Sequence, residues 1–102
     1  MTYTLKLYVP DDTPPGQRQA AERLFREALA AALGDAALVP PVYRAYQAIL
    51  AQHGETPDPE ALTTGQRTVL EHWQQAEAAA LAAVFGPHRH LDEGGYEIVL
   101  PA

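Results

Sequence analysis

The chain contains no cysteine, which excludes disulfides, thiolate metal ligands and a cysteine nucleophile. Basic residues are scarce as well: 7 Lys and Arg stand against 13 Asp and Glu, for a formal net charge of -6. A field of that sign repels phosphate backbones, so nucleic acid is not an expected partner. The acidic residues are dispersed, with no run longer than the pairs Asp11–Asp12 and Asp92–Glu93, so they form no massed surface that would imitate nucleic acid. Long apolar runs are missing too. Nothing approaches the ~18 residues of a membrane span, and "MTYTLKLYVPDD" has no basic flank leading into an apolar core, as a secretory signal would. The expectation is a soluble, cytoplasmic protein without a membrane partner. No glycine-rich phosphate loop, nucleophile elbow or Ser-His-Asp arrangement is readable, and no cofactor is expected.

What is present is ordinary globular material. The 102 residues are 47% hydrophobic and 20% charged, enough to build one core and too little for two. A single α+β domain over residues 1–102 is therefore expected.

Residues 3–9 alternate Tyr3, Leu5, Leu7 and Val9 against Thr4, Lys6 and Tyr8, the period of a strand with one buried face. "TPPG" then offers a helix start, with Thr13 as cap and Pro14 in the first turn, where a missing N–H costs nothing. The apolar stripe Ala21, Leu24, Phe25, Ala28, Leu29, Ala32 and Leu33 follows helical spacing up to Gly34, and Glu22 with Arg26 is a favourable pair four apart. A second helical pattern runs from Val42 through Tyr46 and Ile49 to His53. Asp58–Pro59 signals a short turn, and Thr63 with Gln66 fits a capping box that opens a third helix ending at Phe85. In that helix "AEAAALAA", residues 76–83, sets alanine on nearly every side, as suits a central helix or one that meets a second subunit. A loop over 86–95 leads to a second strand, "YEIVL".

The order β-α-α-α-β predicts a three-helix layer packed on a small sheet formed by the N- and C-terminal strands. Each strand needs a hydrogen-bonding neighbour and only the other can provide one within the chain. If successive helices alternate in direction, the strands come out parallel, but the ten-residue loop at 86–95 is long enough to reverse the second strand and leave them antiparallel. Open strand edges invite a second copy, so a homodimer with an extended sheet is expected.

Two features carry possible chemistry. In "HRHLDE" the alternate residues His88, His90 and Asp92 project to one side of an extended segment, and imidazole with carboxylate suits zinc or another divalent first-row metal. The string is similar to the H-x-H-x-D-H motif of the metallo-β-lactamase superfamily at those three positions, which implies a metal held by those side chains. It departs at Glu93, where the motif has histidine, and 102 residues cannot build that family's layered αββα fold. The second feature is Glu77, which interrupts the apolar stripe Val69, Leu70, Trp73, Ala80, Leu81, Val84. A carboxylate there needs a partner. A hairpin of the second and third helices would bring it level with Tyr43 and Tyr46, whose hydroxyls could hold it, and Arg44, which offers a charge; such a carboxylate could serve as a general acid or base.

The leading expectation is a small, non-enzymatic interaction or accessory protein, homodimeric and binding another protein. In that reading "HRHLDE" is a connecting loop without a built metal site, and Glu77 is a structural hydrogen-bond acceptor. The alternative is a small metal-dependent or acid–base enzyme working through His88, His90 and Asp92, or through Glu77 with Tyr43 and Tyr46. A concave pocket lined by these side chains speaks for the enzyme, and a flat apolar patch for the binder.

Overall fold

The computed structural model describes residues 3–91 and 94–101. Two strands, β1 (Thr4–Leu7) and β2 (Tyr96–Val99), enclose three helices in sequence: α1 (Pro15–Leu33), α2 (Val39–His53) and α3 (Thr64–Phe85). The α+β order is the expected one. The strands pair with each other, but antiparallel, with Leu5 opposite Ile98 and Leu7 opposite Tyr96.

The antiparallel pairing decides between the two directions left open by the sequence, and the cause is the α1–α2 link. The N-terminal residues Gln17 and Ala21 of α1 line a common cleft with Val84 near the end of α3, so these two helices run in opposite senses. Ile49 and Gln52 near the end of α2 line a groove with Gly65 and Gln66 at the start of α3, so α2 also opposes α3. It follows that α1 and α2 share a sense. The chain does not reverse at the 3-10 turn Ala36–Leu38, where the Asp35 carboxylate caps Ala37 at 3.0 Å. With one reversal fewer than assumed, β2 returns antiparallel to β1.

Local chemistry accounts for the helix ends. The expected capping box of α3 is formed: the Gln66 amide N–H donates to Thr63 Oγ1 at 3.1 Å, and the Thr63 amide donates to Gln66 Oε1 at 3.0 Å. Asp58 likewise caps the turn Pro59–Ala61. At α1 the reading fails. Pro14 is the N-cap, with ψ 141°, and Thr13 makes no cap bond. A residue that precedes proline is pushed out of helical geometry, so Pro15 shifts the start on by one residue, and the Thr13 hydroxyl ends up buried without a partner. α2 begins at Val39, before the expected Val42, because Pro40 and Pro41 fit a first turn that needs no N–H donors. The 86–95 loop holds a further 3-10 turn, Arg89–Leu91.

One face of the sheet, with Leu5, Leu7 and Ile98 buried, covers the helices; Thr4, Lys6, Glu97 and Val99 are exposed on the other. α3 is the central helix. It packs against both α1 and α2, burying Trp73, Ala76, Ala80, Val84 and Phe85 against Phe25, Leu29 and Leu33 of α1 and Val39 at the start of α2. The α1 stripe is narrower than expected, since Leu24 is 44% exposed and Ala32 is exposed. Arg26 does not turn along the helix to Glu22 but reaches the Tyr3 carbonyl, its guanidinium 4.6 Å from the centre of the Tyr3 ring. No helix among the described residues is long and apolar enough to cross a membrane.

Candidate functional site

Two places gather the singled-out residues. The first is the middle of α3. Trp73 is fully buried, and the rings of Tyr43 and Tyr46, one turn apart on α2, lie 4.8 and 5.9 Å from it. This is the expected hairpin of α2 and α3. One turn further along α3, Glu77 is half-buried, and its carboxylate accepts a hydrogen bond from the Tyr96 hydroxyl. The partner is thus Tyr96 of β2, in place of the expected Tyr43 or Tyr46. Antiparallel pairing directs Tyr96 to the helices at this level, where its ring also packs 4.9 Å from Phe25, while the Tyr43 oxygen accepts from Gln47 at 2.6 Å.

Burial, above all, pushes the Tyr96 phenol far above the ordinary phenol range, and the bond to Glu77 and its charge act in the same direction. The buried Trp73 N–H has no partner at normal hydrogen-bond geometry, although its dipole works against the rise at Tyr96. Burial raises Tyr43 and Tyr46 as well, with the Glu77 charge contributing. A phenol held protonated against a carboxylate acceptor ties β2 to α3. The rings around it are in contact, so the arrangement works as a packed joint.

The second place is the cleft between the start of α1 and the end of α3. Its walls are Ala20, Ala21, Leu24, Val84 and Leu91; Gln17, His88 and His90 supply its polar groups, and it holds about 150 Å³. Both histidines are exposed, their ring centres 6.1 Å apart and nearly perpendicular at 83°. Sequence spacing placed the histidines together but gave no sign of the apolar cleft beneath them, because half of its wall comes from α1. Asp92, the third expected ligand, lies outside the described residues. Among the described residues no group of three or more His, Asp or Glu is placed to hold a metal ion.

Compared with family models, curated proteins and solved structures, the chain has no match in any of the three. Its function has to be argued from the two places just described and from the sheet.

Proposed function

We propose that the protein acts by binding: a small non-enzymatic interaction protein that forms a homodimer through its sheet and presents the joined surface to another protein. The observation that carries this reading is the outer edge of β2. The Tyr8 amide donates to the Gly95 carbonyl at 2.9 Å, and antiparallel pairs alternate between bonded and non-bonded. The backbone groups of Tyr96 and Ile98 therefore point away from β1, and no third strand among the described residues takes them up. At the corresponding edge of β1, Arg26 of α1 covers the Tyr3 carbonyl. Just past β2, Arg44 of α2 likewise reaches the Pro101 carbonyl at 3.4 Å, and Val99 on the outer face of the sheet is 53% exposed. Two β2 strands related by a two-fold axis would join as an antiparallel pair in a four-stranded sheet, relieving the marginal stability of two strands.

The site chemistry fits the same reading. Glu77 is engaged in a packed joint, its carboxylate accepting the Tyr96 hydroxyl. Light scattering at tens of micromolar should give twice the chain mass, and amide exchange at Tyr96 and Ile98 should slow as concentration rises. The monomer mass, with exchange independent of concentration, would refute the dimer.

A further inference from the structure

The cleft at the α1–α3 junction has a chemical character of its own. Five apolar side chains wall a space of about 150 Å³, and an apolar cavity of that size accommodates one benzene ring. Leu24, at the rim of the α1 stripe, forms part of its wall and is 44% exposed. The polar groups all lie on side chains able to donate: Gln17 brings an amide NH₂, and His88 and His90 each bring an imidazole N–H. No carboxylate among the described residues lines it. Arg89 stands between the two histidines, and Asp92 and Glu93 follow in the chain. The positive start of α1 and the negative end of α3 meet here and largely offset each other, and Pro14 and Pro15 have no N–H to offer. Recognition of a ligand head therefore falls to side chains.

We propose that this cleft binds a small monocarboxylate with a compact apolar body, about the size of benzoate, the ring lying against Leu24, Val84 and Leu91 and the carboxylate accepting hydrogen bonds from His88, His90 and Gln17. A carboxylate is acceptor-only and can take all three of these donors, whereas an ammonium meets no carboxylate among the described residues of the lining. The net charge of -6 opposes an anion at long range, so short-range bonds must hold it. The site is separate from the β2 edge, and its readout does not depend on oligomeric state.

The test is amide-resolved NMR titration at neutral pH with benzoate, benzyl alcohol and benzylamine. Benzoate should shift Ala20, Leu24, Val84 and Leu91 saturably with a dissociation constant in roughly the millimolar range. Benzyl alcohol should bind several-fold more weakly, and benzylamine most weakly. Ala20→Phe, a change at an exposed helix position that fills the cleft, should abolish binding of all three while leaving the melting temperature in place. His88→Ala with His90→Ala should weaken benzoate to the level of benzyl alcohol and leave the alcohol unchanged. Benzylamine binding as well as benzoate, benzoate shifts that survive Ala20→Phe, or no saturation by tens of millimolar would each overturn the proposal.

Discussion

At the middle of α3 a carboxylate lies among aromatic rings and takes a hydrogen bond from a strand; past the end of the same helix two imidazoles stand in solvent over a cleft. Both are polar groups on or beside one apolar stripe, and the fold uses them oppositely. Glu77 lies where α2, α3 and β2 converge, and a polar group left unpaired there would cost free energy, so it has a partner. His88 and His90 lie exposed on a turn, where a polar group needs no protein partner. A buried polar residue is held by a partner, and an exposed one is not.

The largest effect that tests this contrast is Trp73→Ala. The indole is fully buried against Tyr43 and Tyr46, so its removal should cost about 3–5 kcal/mol in urea unfolding. A cost near that of a surface substitution would deny the joint its structural weight.

Next comes Glu77→Ala, which leaves the half-buried Tyr96 hydroxyl unpaired and should destabilise by roughly 1–3 kcal/mol. A double-mutant cycle with Tyr96→Phe should show coupling of about 0.5 kcal/mol or more; additive effects would mean that the two side chains do not act together.

Alkaline pH sharpens the same point. Tyr96 has its folded pKa raised above the ordinary value of 10.0 by burial and by Glu77, so the folded state holds its proton where the unfolded chain releases it. The stability from this group is complete below about pH 10 and is lost as pH climbs beyond it. Between pH 10 and 11 the wild type should lose up to about 1.4 kcal/mol more than Tyr96→Phe. Equal slopes would place the phenol in water.

The smallest effect belongs to the other half of the contrast. Replacing His88 and His90 together by alanine should shift the melting temperature by no more than about 2 °C, since exposed substitutions stay within ~0.5 kcal/mol. Zinc calorimetry should show no site tighter than micromolar, because two imidazoles on an exposed turn have no supporting shell to orient them. Tight one-to-one binding lost in the double variant would reverse the assignment of this turn.

Much of this was legible along the chain. Phe25, Leu29 and Leu33 at helical spacing, the Thr63–Gln66 box and the alternation of Leu5 and Leu7 each state a local preference that the fold keeps. Glu77 was recognisable as a residue in need of a partner, and its exceptional place on the stripe was the signal. Its actual partner was not recognisable, since residues 77 and 96 meet only once the last strand's direction is known. Leu24 shares the helical spacing of the core residues yet is exposed, because spacing gives a stripe without its width, and the width depends on what α3 covers.

Local sequence by itself determined the number and order of the helices and strands, most of their core-facing residues and most of the helix ends, because spacing, caps and prolines act within a few residues. Tertiary structure alone decided the strand direction, the Glu77–Tyr96 bond, the turning of Arg26 to Tyr3 and the cleft beneath His88 and His90. Each of these joins residues far apart in the chain, and each follows from α1 and α2 running in one sense along α3. That relation rests on how three helices share a single buried stripe, which no short stretch of sequence contains.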